Sequence, residues 1–246
     1  MSLRFHEIAE ARHRILNPFT AEKLALLGEI CELSTGMRQL DLACGKAELL
    51  CGLAKRYGTT GIGVDISEVF LAAARDRAEE VGVSAVVEFV HDDAGKYQAA
   101  PAAFDLVSCI GATWIGGGLV GTLELMKPAL KDDGLLMVGE PYWIEPPPVE
   151  APDAIGIDAN EFVTLDGTLD RFEAAGTEPV EMVLADNDSW DRYVASQWMT
   201  GNNWLREHPD DPDAAAFRKW ISDNRRAYFR YGRRYLGWGV FLLRLA

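Results

Sequence analysis

The sequence predicts an α/β fold built on a doubly wound parallel sheet, and three observations carry that prediction. The first is Gln39-Leu40-Asp41-Leu42-Ala43-Cys44-Gly45-Lys46-Ala47-Glu48, where a short apolar run ends in an acid, small residues and a glycine before an amphipathic pattern opens. That is a strand, a tight turn and a helix. The second is the alternation that follows, in which apolar runs at 60–65, 85–90 and 104–109 are interleaved with helical stretches at 47–57 and 67–81. The third is how the runs end: in Asp65, in His91-Asp92-Asp93-Ala94 and in Ile110-Gly111-Ala112-Thr113-Trp114. Four strands thus point their ends at one crevice, the place where open α/β sheets bind ligands.

Taken in order, residues 4–16 are polar with helical spacing, and Asn17-Pro18-Phe19-Thr20 breaks them from a second helix at 21–33 whose Leu24, Leu27, Ile30 and Cys31 share a face. Strand and helix alternate from Met37. Asp65 occupies the position that bonds ribose hydroxyls in nucleotide-binding α/β folds, and Ser67 stands where a helix N-cap belongs. Gly61 and Gly63 form a G-x-G, but inside a strand, so the G-x-G-x-x-G dinucleotide fingerprint is absent. The glycine cluster 111–118 is the expected substrate loop, with Trp114 lining a pocket. A helix at 119–130 follows, then a strand at 135–139 that delivers Glu140-Pro141-Tyr142-Trp143 to the ligand edge. That carboxylate, phenol and indole are the most chemically loaded group in the chain.

Residues 145–157 read as a proline-rich surface loop, 164–175 as a helix, 179–185 as a sixth strand and 238–245 as the last. Between the last two strands lies an insertion with two expected helices. On the first, capped by Ser189, Trp190, Tyr193, Val194, Gln197, Trp198, Trp204 and Leu205 share one face. The second, 213–235, carries Trp220, Tyr228, Tyr231 and Tyr235 on one side and Arg225, Arg226, Arg230, Arg233 and Arg234 on the other. The aromatic faces are expected to pack together as a cap, and the arginines to neutralise Asp210, Asp211 and Asp213 or to meet an acidic substrate group. The boundaries are N-terminal helices at 1–34, a core at 35–185 and 237–246, and a cap at 186–236, all in one domain of 246 residues.

Composition narrows the chemistry. A net charge of −14 argues against the phosphate-dominated binding of nucleic-acid enzymes and against an anionic membrane surface, leaving a small molecule as the expected partner. Cys31, Cys44, Cys51 and Cys109 show neither a C-x-x-C pair nor zinc-ligand spacing, so no metal site is expected and the thiols read as reduced in a cytoplasm. The charged start shows no secretory signal, and no apolar run reaches the ~18 residues of a membrane span.

The succession Leu40-Asp41-Leu42-Ala43-Cys44-Gly45, Gly63-Val64-Asp65-Ile66-Ser67, His91-Asp92-Asp93-Ala94 and Phe104-Asp105-Leu106-Val107 resembles the class I S-adenosylmethionine-dependent methyltransferases over about residues 35–140. The resemblance implies a Rossmann-like seven-stranded sheet with an antiparallel final strand, and S-adenosylmethionine as cofactor. It implies that Ala43, Cys44 and Gly45 lie against the methionine part and that Asp41 anchors its amino group. Asp65 would hold the ribose, Ile66 would pack on adenine, Asp93 would accept from the adenine amino group with Ala94 beside it, and Ile110 would close the other face. The family's three alternating glycines are here Ala43, Gly45 and Ala47. A leading segment that folds over the cofactor makes His13 and Asn17 pocket candidates.

The activated methyl needs mainly positioning. Where the acceptor is protic, Glu140 or Tyr142 is the expected base, and Trp114 and Trp143 the expected substrate contacts. Asp105, early in its strand, is not. Two rivals share the cofactor: a cyclopropane-fatty-acid-synthase-like enzyme, which needs a lipid-facing surface, and a non-catalytic S-adenosylmethionine-binding protein whose cap serves a partner.

Overall fold

The computed structural model describes residues 2–246. Its sheet has seven strands: β1 (Arg38–Leu42), β2 (Thr60–Asp65), β3 (Val87–His91), β4 (Phe104–Ile110), β5 (Leu130–Trp143), β6 (Thr177–Leu184) and β7 (Leu236–Leu245), in the order β3-β2-β1-β4-β5-β7-β6. The pairs from β3 through β5 are parallel, and β7 runs antiparallel to both β5 and β6. Strand order reverses between β1 and β4. Beyond the carboxyl ends of these two strands lies the crevice where such sheets place ligands.

The helices are α1 (Leu3–Ala9), α2 (Ala21–Ile30), α3 (Glu48–Tyr57), α4 (Glu68–Val81), α5 (Leu119–Met126), α6 (Ala151–Ile155), α7 (Leu165–Ala174), α8 (Asn187–Glu207) and α9 (Ala214–Ala227). Strand periodicity divides the core: Leu136, Val138, Phe241 and Leu243 face α5 and Phe172 of α7, whereas Met137, Val240 and Leu242 face Leu27 of α2 and Leu49 and Leu53 of α3. Among the described residues no helix is long and apolar enough to cross a membrane.

Several expected boundaries move, each for a local reason. The first helix stops at Ala9 instead of continuing to 16, because Lys46 Nζ takes the carbonyls of Glu10, Ala11 and His13, which are the groups a longer helix would need. β5 runs on to Trp143, so Glu140–Trp143 are strand residues paired with β7. Pro141 is tolerated there because β4 ends opposite Gly139, which leaves that side of β5 without a partner. Asp186, not Ser189, caps α8: its carboxylate accepts from the Ser189 amide at 2.7 Å and pairs with Lys23 at 2.8 Å. The expected helix 213–235 is α9 followed by a π turn at Tyr228–Gly232 and a last turn at Arg233–Tyr235. In the glycine loop, Thr113–Gly116 form a 3₁₀ turn. Ser67 caps α4 as expected, accepting from the Phe70 amide.

The cap packs partly on itself and partly on α1. Trp204 meets Phe217 at 5.3 Å between centroids, and Phe5 of α1 meets the same ring at 5.1 Å. Arg4, rather than the arginine run, pairs with Asp211 and Asp213, while Arg233 holds Asp191 and Arg234 holds Glu145.

After β1 the chain turns through three alternating left-handed residues, Ala43 (φ 58°), Gly45 (φ 55°) and Ala47 (φ 54°). Left-handed backbone costs an L-residue about 1–2 kcal/mol, and glycine itself costs about 0.5–1 kcal/mol of unfolded-state entropy. Ala47 offsets its strain by packing its methyl, fully buried, against Leu50, Cys51 and Ala74. Ala43 is only half-buried. Ala43→Gly is therefore expected to raise stability by about 0.5 kcal/mol, and Ala47→Gly, which loses a methyl worth about 0.8 kcal/mol, to leave it unchanged or lower. Urea midpoints of the two variants check this, and equal gains in both would contradict it.

Candidate active site

The left-handed turn is stapled to β2. Gly45 donates its amide to Asp65 Oδ2 at 2.7 Å, Ser67 donates to Oδ1 at 2.8 Å, and the Cys44 amide reaches the Val64 carbonyl at 3.0 Å. Asp65 is buried at the end of its strand, and burial raises its carboxyl above the ordinary value despite these amides. Each oxygen has accepted one hydrogen bond and retains a lone pair for a second. Beside it, Ile66 turns its side chain outward, 57% exposed. Asp41, one strand over, is buried, takes the Ser108 hydroxyl at 2.7 Å, and is pushed up to about 7 by burial with a further push from the charge of Asp65.

Cys44 packs against β2 beside this cluster. Its sulfur would sit 2.8 Å from a β-carbon at Gly63, and burial drives the thiol well above its ordinary value, so it packs and is no nucleophile. Gly61 and Gly63 are explained by the same packing: a β-carbon at either position would press on Leu50 of α3. Asp93 engages the Gly95 amide at 3.0 Å and Lys96 at 2.7 Å, while Ala94 is buried and Ile110 half-buried at the end of β4. Asp105 pairs with Lys131 at the opposite edge of the sheet.

Residues 10–17 roof the crevice. Lys46 Nζ binds the Glu10 carbonyl at 2.8 Å, that of Ala11 at 3.1 Å and that of His13 at 2.6 Å. Leu16 lies against Gly45, where a β-carbon would meet its Cδ1 at 2.6 Å, and Asn17 Oδ1 lies against Gly111 at the end of β4. The segment therefore bridges the gap between β1 and β4. Above it, Tyr193 and Gln197 of α8 both donate to Glu10 Oε1 at 2.6 Å. The sequence pointed to His13 and Asn17 and placed Tyr193 and Gln197 on the inner face of the cap helix, but missed Glu10 and Lys46. The spacing of Glu10 and His13, three residues apart, was the one available signal.

On the β5 side, Glu140 is buried and accepts from the Thr113 hydroxyl at 2.5 Å, while the Thr122 hydroxyl accepts from the Gly116 amide at 3.1 Å. Burial pushes the Glu140 carboxyl up to about 7. These bonds fix the turn that presents Trp114, which is 68% exposed. Tyr142 is buried with its ring over Gly237, the residue opposite on β7, and burial raises its phenol. Trp143 is only 4% exposed and packs on Phe162 with ring centroids 6.3 Å apart, so it offers little ring surface to a ligand.

Comparison with known proteins matches this arrangement. A family model described as a methyltransferase domain matches residues 33–201. YjhP of Escherichia coli (strain K12) is 45% identical over 242 residues, 98% of this chain and 97% of its own. A methyltransferase of Geobacter sulfurreducens solved with S-adenosylhomocysteine is 43% identical, with a TM-score of 0.94 over 100% of this chain and 99% of that one. A Thiobacillus denitrificans counterpart, also with S-adenosylhomocysteine, is 42% identical, with a TM-score of 0.93 over 100% and 99%. With a family model covering more than half its length and these relatives along the whole of it, the chain belongs to the class I S-adenosylmethionine-dependent methyltransferases.

Proposed function

We propose that the protein methylates a small-molecule acceptor beneath its own roof. The observation that carries this reading is the strap at residues 10–17, held down by Lys46 and overlain by Tyr193 and Gln197: what reaches the ends of β1 and β4 must fit under chain that is already there. The net charge of −14 supports it by disfavouring a polyanionic acceptor.

The cradle fits S-adenosylmethionine on two counts. Asp65 keeps one lone pair on each oxygen, the number two ribose hydroxyls require, and the left-handed turn at 43–47 bares backbone next to a buried carboxyl. In this assignment Asp65 holds the ribose, Ile66 and Ile110 flank the adenine, Asp93 and Ala94 lie at its edge, and Ala43 to Gly45 with Asp41 take the methionine end. When bound, the cofactor supplies a sulfonium methyl ready for in-line displacement. The chain's own work is to orient and to exclude water. Glu140 serves that end by holding Thr113 and hence the Trp114 loop; Tyr142, its phenol kept protonated by burial, is a donor and not a base.

Three measurements test these roles. Asp65→Ala is expected to weaken S-adenosylhomocysteine binding by roughly 100-fold in calorimetry, since two charge-assisted hydrogen bonds are lost at about 1.5 kcal/mol each; unchanged affinity would remove the ribose assignment. An ammonium bound at Asp41 requires the carboxylate, whose carboxyl titrates at about 7 in the free protein. Affinity should therefore climb about tenfold per pH unit up to about pH 7 and then level off, with proton release on binding, and Asp41→Asn should abolish the slope. Glu140 binds its proton more tightly folded, at about 7, than at its ordinary 4.5. As pH rises through that window the unfolded chain loses a proton the folded one keeps, so stability falls by about 3 kcal/mol. Asp41, raised in the same way, adds a fall of its own, so urea midpoints of Glu140→Gln should show a fall smaller by about 3 kcal/mol than that of the unaltered chain while cofactor affinity stays unchanged; an undiminished fall would assign the titration elsewhere.

A further inference from the structure

Glu10 ends α1 with its carboxylate wholly buried, 0% exposed, and three donors converge on it: His13 Nδ1 at 2.5 Å, the Tyr193 hydroxyl at 2.6 Å and Gln197 Nε2 at 2.6 Å. Burial pushes the carboxyl up, but the His13 and Tyr193 hydrogen bonds outweigh it, and Glu10 ends below its ordinary value as an anion. Burial beside that anion drives the Tyr193 phenol well above its own, so it stays a donor. His13 Nδ1 therefore faces a carboxylate and carries the ring proton, which leaves the lone pair on Nε2. Among the described residues Nε2 has no hydrogen-bond partner; the side chain keeps 14% of its surface exposed, and its ring lies 5.0 Å from that of Tyr193. Its position is fixed by Lys46 on the His13 carbonyl, by Leu16 over Gly45 and by Asn17 over Gly111. His13 thus opens the stretch that spans the gap between β1 and β4. A buried carboxylate orienting an imidazole whose other nitrogen is free is the arrangement of an oriented general base.

We propose that His13, oriented by Glu10, takes the proton of the methyl acceptor, and that the acceptor is consequently a nucleophile with a proton on its attacking atom: a hydroxyl, a phenol, or a primary or secondary amine. A thioether or tertiary amine needs no such base. The inference rests on the methyl-transfer reading above. As the acceptor's electron pair forms the new bond to the methyl carbon, the carbon–sulfur pair leaves with sulfur as a neutral thioether, and the acceptor's proton passes to Nε2 and then to water. The charged and titratable groups around the ring are Glu10 and His6 from α1, Lys46 from the β1–α3 turn and Tyr193 from α8.

Two readouts test this. The first needs no acceptor: nitrogen–proton correlation spectra of the imidazoles in the whole chain at about pH 8, with the His13 signal assigned by its loss in His13→Asn. The Nδ1–H tautomer is expected, and an Nε2–H tautomer overturns the proposal. The second follows tritiated methyl from S-adenosylmethionine into the small-molecule fraction of a bacterial extract. His13→Asn, which can still donate to Glu10, should slow incorporation by about 100-fold or more while calorimetric affinity for S-adenosylhomocysteine stays within about twofold, and free imidazole should partly restore His13→Gly. Undiminished incorporation by His13→Asn overturns the base. No incorporation by the unaltered chain counts against the small-acceptor reading instead, and the base then stands or falls on the ring tautomer.

Discussion

A buried carboxylate is tolerable only where donors meet it, and the meeting of His13, Tyr193 and Gln197 on Glu10 organises everything above the sheet. It ends α1, because the residues that follow turn back to bring His13 onto the carboxylate. It seats α8, because Tyr193 and Gln197, one helical turn apart, reach the same oxygen. Lys46 completes the arrangement from below by taking three carbonyls of the same strap, which otherwise would need water or a longer helix. One lysine in the turn after β1 and one glutamate at the end of α1 thereby join the N-terminal segment, the cap and the ligand edge of the sheet.

Beneath that roof the electrostatics are of one sign. Asp41 and Asp65 are neighbours on adjacent strands, both buried, and each is held above its ordinary value chiefly by desolvation. Two carboxyls placed so are an arrangement that a cation relieves, which suits a sulfonium carrying an ammonium group far better than it suits a nicotinamide dinucleotide with its two phosphates. On the far side Glu140 has a different task. Its one hydrogen bond goes to Thr113, and through that turn it governs where Trp114 stands. Acids at the ends of neighbouring strands thus differ in setting: Asp41 and Asp65 lie buried side by side, and Glu140 holds a loop.

The cap departs from a simple packed lid. Its aromatic residues meet as their helical spacing implied, yet Phe5 of α1 is part of the same cluster and Arg4 supplies the ion pairs to Asp211 and Asp213. The arginines near its end are used in the other direction: Arg233 ties α8 through Asp191, and Arg234 reaches the proline-rich loop at Glu145. The π turn at Tyr228–Gly232 lies among these ties, with the Tyr228 hydroxyl also on Asp191 at 2.6 Å.

By itself the sequence determined the alternation of strands and helices, the turn after Leu42, the acids at the ends of the strands and the family resemblance they carry. These depend on residues close together in the chain, where apolar periodicity, a helix-capping serine and a glycine turn act locally. That Ala43 and Ala47 would take the left-handed conformation of glycines followed from neither propensity nor pattern; the turn's geometry, fixed by Gly45 on Asp65 and Cys44 on Val64, imposed it. Contacts between residues distant in sequence were decided only by the tertiary structure. Glu10 with Tyr193, Lys46 with the strap and Glu140 with Thr113 lie 183, about 35 and 27 residues apart, and no local signal records which buried polar group another will satisfy. The extension of β5 to Trp143 belongs with them, since only the antiparallel arrival of β7 from the end of the chain supplies the hydrogen bonds that keep Glu140 to Trp143 in the sheet.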